Sequence, residues 1–519
     1  MSPPSPSADQ SSRRLSEERR SALLLGAIAG LLLGGLAWWI RAPSFMQSVI
    51  DHDESTYIVI GEAIWRGELL YTDVWDTKPA GIFLIFGAAL KLFGGSVYTI
   101  RVLATLAITL TAIALTFAKR RLGMSWLEGI TSGALCVLMC SAQTYGLPAH
   151  IELFFIPGVA IALWMLSGQG SPGVMRTTVA GLALGLAFIV KYVALFDAIA
   201  LTLPLLLYPC YRALRDGTER ASHMRRLLIF AVVFALPFAL LHLAFTLTGN
   251  FQAFYEATYV IPGRYVNMGS DAARWRLWVE LHRVYPYITS ALYLSLLLGI
   301  LRWLKTRRGG LELSLATLWV LCAWASVLTP GKPFTHYLLQ LALPISFYAP
   351  RALSLIPLKA LSRACLSVTL ISIFIYGDQR AETYQRVYRH RPDVPREAAA
   401  YLRGRLEPQD LIYTANFDHI LYHLLQRRSP TKYVHRSLLT NPKHLKTLAL
   451  DPQREIAHIL SQRPRFILTV GRYRHRALNE ALRRDYQRVK TLRRRHFIYE
   501  RRPIKEIKRE AEGTMPSQR

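Results

Sequence analysis

Uncharged apolar runs about as long as a bilayer is thick recur from residue 22 to residue 377, and they limit the fold of this chain more than any other feature. A helix needs roughly 20 apolar residues to cross the hydrocarbon core, where each backbone N–H and C=O must be satisfied within the segment. The first run, Ser21–Ile40, is long enough to span. Further runs fill 97–118, 125–143, 150–168, 177–190, 193–210, 227–247, 284–301, 312–329, 336–350 and 359–377. The reading is a polytopic α-helical membrane protein of about eleven spans. The count turns on Lys191, because one long kinked helix there would invert everything downstream. Overall the chain is 52% hydrophobic with a mean hydropathy of +0.21, more apolar than a soluble protein of 519 residues usually is.

Loop charges orient the spans. Basic stretches lie on one expected side: "RRLSEERR" before the first run, "KRR" at 119–121, "YRALRDGTERASHMRR" at 211–226 and "RWLKTRR" at 302–308. That side is the cytoplasm by the positive-inside rule. The other side carries an acidic first loop, "TYGLPAH" and "TPGKPFTH". Three parts follow: a disordered, cytoplasmic Ser/Pro-rich segment 1–20, a membrane domain 21–377, and a basic soluble domain 378–519 outside the cytoplasm. The five cysteines, Cys136, Cys140, Cys210, Cys322 and Cys365, fall in or beside apolar runs and read as packing thiols.

The first loop, 42–96, concentrates carboxylates at the lip of the bilayer. Asp51, Asp53 and Glu54 stand within four positions, and Asp73, Asp76 and Lys78 follow. "STYIVIGEAIWRG" spaces Tyr57, Ile60 and Ile64 at helical intervals with Gly67 as a stop, which predicts a short amphipathic helix on the membrane surface. "GIFLIFGAALKLFG" reads as a second interfacial segment. Asp53 or Ser55 alone would cap the helix, but a cap needs one polar side chain, not three acids. On the same expected face His150 and Glu152 open the fourth span. Lys191 ends the fifth, Lys332, His336 and Tyr337 mark the tenth, and Arg101 lies inside the second. Snorkelling or capping explains each alone. Their shared side suits a phosphate-bearing ligand beside a proton acceptor.

"DHDESTY", "YTDVWDTKPAG", "GGSVYTIRVLATL" and "GKPFTHYLLQLALP", in that order, resemble the bacterial GT-C glycosyltransferases, a group that includes protein O-mannosyltransferase and aminoarabinose transferase relatives. The likeness is good over about residues 20–210. The chain departs from the pattern at Lys78-Pro79-Ala80, where many relatives carry Lys-Pro-Pro, and at His150-Ile151-Glu152, where Asn-x-Glu or Asp is expected. The resemblance implies inverting transfer of a sugar from a polyprenyl-phosphate donor to an acceptor at the extracytoplasmic face of a bacterial inner membrane. The acceptor would be an envelope glycolipid such as lipopolysaccharide, a polysaccharide or a protein. Asp53 is the implied base, with Glu54 orienting it. Lys78, Arg101, Lys191, Lys332 and His336 are the implied phosphate-binding cations. Asp51, Tyr57, Asp73, Asp76, His150, Glu152 and Tyr337 are acceptor-binding or supporting candidates. No dedicated ligand spacing is visible, and the resemblance leaves open whether a divalent cation assists.

The tail, 378–519, alternates helix patterns ("VPREAAAYLRGRL", "DHILYHLLQRR", "ALNEALRRDYQRV") with strand patterns ("DLIYTAN", "PRFILTV", "HFIYERR"), which predicts a small α/β domain. It holds 32 Lys and Arg against 15 Asp and Glu. Outside the cytoplasm this excess suits membrane lipid headgroups or a phosphorylated glycolipid, not nucleic acid. A lipid-linked-sugar transporter or flippase is the rival class. It is weakened because no second copy of the acidic loop appears. Transfer of an acyl or phospho group lacks a nucleophile, since no Ser or Cys stands beside a His in the outer loops. Alkaline phosphatase fused after residue 378 is expected to be active, and fused at Gly217 inactive; the reverse pattern overturns both the helix count and the face assigned to Asp53.

Overall fold

The computed structural model describes residues 8–503 apart from 169, 218, 472 and 474. Among these, seven helices are long and apolar enough to cross a membrane: Arg20–Ser44, Val97–Arg121, Ala194–Asp216, Arg220–Leu247, Pro286–Thr306, Gly310–Leu328 and a last one that begins at Lys359. Three more of the expected spans are shorter apolar helices, Trp126–Ser141, Glu152–Leu166 and Val174–Val190. The tenth is a 3-10 turn, Thr335–Leu341, continued by the α-helix Ala342–Tyr348. The chain leaves helix at Lys191 (φ −150°, ψ 120°), so two helices meet there instead of one kinked rod.

The expected disorder of 1–20 meets a different finding. Residues 1–7 lie outside the described residues, and from Ala8 the chain is already in the first helix, α1 (Ala8–Arg41). An apolar helix supplies the nucleus, and each added residue then costs only propagation.

By its contacts the chain forms two compact units that do not follow chain order. The helical unit comprises the chain through Ser44, Arg101–Leu240 and Gly269–Val387. Several of its buried charges are paired with one another. Lys119 Nζ lies 2.7 Å from Glu128 Oε1, and both side chains are shut from solvent. Arg351 reaches Glu128 at 3.2 Å and Glu312 at 2.6 Å. The basic "KRR" stretch is therefore not wholly a solvated flank, because its lysine neutralises a carboxylate on the next helix and also donates to the Phe347 carbonyl at 2.7 Å.

The second unit comprises Phe45–Ile100, Leu241–Met268 and the chain from Tyr388. The changeover at Tyr388 falls inside the continuous helix Lys359–Arg389, not at residue 378. Four strands form its sheet: β1 (Ile412–Thr414), β2 (Phe466–Val470), β3 (Tyr486–Leu492) and β4 (His496–Arg501), in the order β1-β2-β4-β3. β1 runs parallel to β2, and the other pairs are antiparallel. Phe466, Leu468 and Ile498 face one apolar core; Tyr413 and Ile467 face the other. A strand buried on both faces reads as a continuous apolar run, as "FILTV" does. Two helix expectations shrink. "ALNEALRRDYQRV" is helical only over Arg476–Asp485 before β3 begins at Tyr486, where backbone pairing with β4 overrides local propensity. "DHILYHLLQRR" keeps a single helical stretch, Leu421–Leu425.

The first loop belongs to this second unit. Its helix α2 (His52–Trp65) is no amphipathic surface helix, since Glu54 to Gly61 are all buried. One side packs on α3 (Ala80–Phe93), and Val59 enters the same core as Phe466 and Leu468. Gly61 and Gly87 make the close approach between α2 and α3. A Cβ on Gly61 would meet the Gly87 nitrogen at 2.7 Å, and one on Gly87 would meet the Gly61 oxygen at 2.6 Å. Beyond α2, Gly67 (φ +89°) ends the helix as expected. Gly61→Ala is expected to lower stability by about 1–3 kcal/mol through overpacking against backbone that cannot yield; an unchanged unfolding midpoint in detergent would show that α2 and α3 are free to separate.

Candidate active site

Asp51, not Asp53 or Ser55, caps α2. Its side chain accepts the Asp53 N–H at 2.7 Å from an extended backbone. Asp53 is thereby relieved of capping and sits in the first turn with Glu54, where the helix dipole favours negative charge. The Glu54 side chain is fully buried, while that of Asp53 keeps about a quarter of its surface exposed.

Histidines that the sequence does not single out surround this turn. His435 Nε2 lies 3.6 Å from Asp53 Oδ1. His419 Nε2 lies 2.8 Å from Thr56 Oγ1 and 3.1 Å from the His52 carbonyl oxygen. His52 Nδ1 lies 3.6 Å from Asp418, which Arg436 holds at 3.0 Å. The His419 and His435 rings are 5.4 Å apart. No spacing in the sequence announces these contacts, because His419 and His435 come from loop segments of the tail that fold back on α2, where His52 already stands.

Burial keeps the imidazoles neutral. It pushes His435 down to about 4, against the pull of Asp53 and Asp76. It also lowers His52 and takes His419 well below the ordinary histidine value. His435 therefore faces Asp53 as a dipole, not as the cation of an ion pair.

Lys78 is built into a turn beside α2. Asp76 Oδ1 accepts the Lys78 N–H at 3.1 Å and lies 3.4 Å from its Nζ. Tyr71, at φ +72°, donates its hydroxyl to the Lys78 carbonyl at 2.8 Å. The ammonium lies 5.9 Å from the Tyr57 ring centroid. Asp73 is turned elsewhere and accepts the Leu69 N–H at 2.8 Å.

The helical unit gathers a second group of the expected residues. Glu152, fully buried, meets Lys191 at 2.5 Å. Lys191 Nζ also sits 4.9 Å from the Tyr337 ring centroid. His150 and His336 stack with centroids 4.4 Å apart, and His336 meets Tyr337 edge-on at 4.9 Å. Lys332 is half-buried just before them. Arg101 is fully buried and donates to the Ser44 carbonyl at 2.7 Å. Sequence reasoning missed Arg41, which is buried and donates to Thr105 Oγ1 at 3.1 Å and to the Leu147 carbonyl at 2.7 Å. Its signal was an arginine directly after the first apolar run.

No family model and no curated protein matches the chain. Solved structures do share its fold. ArnT from Cupriavidus metallidurans bound to undecaprenyl phosphate aligns with a TM-score of 0.60 at 14% identity, over 92% of this chain and 98% of that one. Its apo state gives 0.60 at 13% identity, over 93% and 98%. The archaeal oligosaccharyltransferase AglB from Archaeoglobus fulgidus, in complex with an inhibitory peptide and a dolichol-phosphate, gives 0.53 at 11% identity, over 87% and 70%. The architecture expected from the motifs, a polytopic helical membrane fold with a small C-terminal α/β domain, is the fold this chain shares with these structures.

The buried histidines tie stability to pH. Unfolded histidine takes up a proton below about pH 6.5, whereas folded His435 does so only near 4. The unfolded state thus binds more protons between these values, and stability falls as pH falls through this window. His435 alone accounts for on the order of 3 kcal/mol. The melting temperature in detergent is expected to drop between pH 6.5 and 4, and a flat profile would mean that these imidazoles are solvated.

Proposed function

We propose that this chain is an integral-membrane glycosyltransferase that moves a sugar from a polyprenyl-phosphate donor to a cell-envelope acceptor on the extracytoplasmic face of the bacterial inner membrane. The observation that carries the reading is Asp53: a partly exposed carboxylate at the start of a buried helix, freed from capping by Asp51 and faced by the neutral imidazole of His435. The two fold neighbours with bound lipids hold undecaprenyl phosphate and dolichol-phosphate, which supports a lipid phosphate as the leaving group.

The chemistry is a single displacement. Asp53 accepts the proton of the acceptor hydroxyl as its oxygen bonds to the anomeric carbon of the sugar. The bond from that carbon to the phosphate oxygen breaks on the opposite side, so the configuration inverts. The electron pair leaves on the phosphate, a good leaving group that needs no general acid. Cations must balance that charge. Lys78, Lys191, Lys332, His336 and Arg101 are the candidates. Lys78 leads them, because the turn through Asp76 fixes its backbone while its ammonium stays partly exposed. The acceptor, whether glycolipid, polysaccharide or protein, supplies the hydroxyl that attacks the anomeric carbon and gives its proton to Asp53. Membrane lipids surround the spans.

Asp53→Asn preserves shape and removes the proton acceptor, so sugar transfer is expected to fall about 10²–10⁴-fold while donor binding persists. Asp51→Asn is expected to be mild, because Asn caps as well as Asp. Both variants are compared at equal amounts in membranes by transfer of a radiolabelled sugar. Near-normal transfer by Asp53→Asn, or a deeper defect in Asp51→Asn, refutes the assignment of Asp53 as the base.

A further inference from the structure

The hydrogen bonds behind His435 have a direction. The Ser437 backbone N–H donates to His435 Nδ1 at 3.2 Å, so that nitrogen is an acceptor and neutral His435 carries its proton on Nε2. Ser437 Oγ lies 2.8 Å from the same Nδ1 and 2.9 Å from Nδ1 of His444. A hydroxyl has one proton to give. Since His435 Nδ1 can only accept, the Ser437 hydroxyl donates to it, and His444 donates its own Nδ1–H to the Ser437 oxygen. The chain runs His444 to Ser437 to His435, and its last donor, Nε2–H, faces Asp53 Oδ1 at 3.6 Å. That separation is longer than a formed hydrogen bond, as such contacts often are before substrate binds.

We infer that His435 is a positioning residue for Asp53, locked in its donor tautomer by Ser437 and His444, and that the C-terminal tail in this way takes part in sugar transfer. The inference rests on the reading of Asp53 as the base. A base must be ionised when the acceptor arrives and must present one oxygen to it. A neutral donor beside Oδ1 serves both needs, because it stabilises the carboxylate without cancelling its charge and fixes the direction in which the group points. A donor fed by two further hydrogen bonds is polarised and stronger than an isolated imidazole. Burial that keeps His435 neutral suits this role. The charged or titratable groups facing it are Asp53, Asp76, Lys78, His52, His419 and His444, and only the two acids favour its protonation.

The test uses the full chain in detergent with a polyprenyl-phosphate sugar donor. His435→Leu is expected to lower kcat about 10- to 100-fold, as loss of an orienting partner does. It should leave KM for the donor within about twofold. The acid limb of the pH–rate profile should move up by about one pH unit. His435→Gln, whose amide N–H can stand where Nε2–H stood, is expected to recover most of the rate and of the limb. Ser437→Ala, which keeps the backbone donor and loses the hydroxyl, should shift the limb in the same direction by less. Histidine ¹⁵N shifts in the parent protein should report the Nε2–H tautomer at His435. An Nδ1–H tautomer, an unmoved limb in His435→Leu, or a Gln variant no better than Leu overturns the inference. If Asp53→Asn is inactive while that limb stays put, the positioning role fails and the base stands; if Asp53→Asn is active, both fail.

Discussion

A charge removed from water must find a partner, and this requirement organises both units of the protein. In the helical unit Glu128 is shut from solvent and held by Lys119 and Arg351, three residues from different helices. Glu152 is equally buried and meets Lys191. Breaking such a pair by removing one partner leaves an uncompensated buried charge, at a cost of about 3–5 kcal/mol. The pairs therefore fix which helices are neighbours, in surroundings where apolar packing alone discriminates poorly between one helix and another. Arg41 and Arg101 do similar work with backbone carbonyls, where loops would otherwise leave acceptors unsatisfied.

The second unit meets the same requirement with neutral groups. Around the first turn of α2 the tail supplies imidazoles that burial holds uncharged, so the turn keeps its carboxylates without gathering a cluster of cations. Close packing makes this arrangement specific. Gly61 and Gly87 let α2 and α3 touch along their backbones, and Val59 ties α2 into the core of the sheet. With its helix clamped between α3 and the tail, Asp53 has little freedom beyond its own side chain. A catalytic base needs that restriction, because proton transfer is sensitive to a displacement of well under a bond length.

The two residue groups resemble each other in design. Each sets a carboxylate among a lysine, a tyrosine and histidines: Asp53, Lys78, Tyr57 and His435 in one unit, and Glu152, Lys191, Tyr337 and His336 in the other. In the helical unit the carboxylate is consumed by its lysine at 2.5 Å, which makes it a structural anchor or an electrostatic support. In the loop the carboxylate faces a neutral imidazole. The difference separates the two acids as candidates for proton transfer. Lys78, for its part, is held through its backbone and its ammonium by Asp76.

The sequence by itself determined the membrane-spanning character, the places of the apolar helices and the alternation of the tail. These follow from local physics: run length against bilayer thickness, loop charge and side-chain period. It also singled out Asp53, Lys78 and the Glu152–Lys191 and His336–Tyr337 positions, because ionisable residues beside apolar runs stand out against their background. Only the tertiary structure decided that Asp51 is the cap, that α2 is buried instead of lying at an interface, and that the loop joins the tail in one compact unit. The histidines were invisible for the same reason. His419, His435 and His444 are ordinary polar residues in their own neighbourhoods, and they acquire a role only when long-range packing brings the tail against α2, a pairing that no local period encodes.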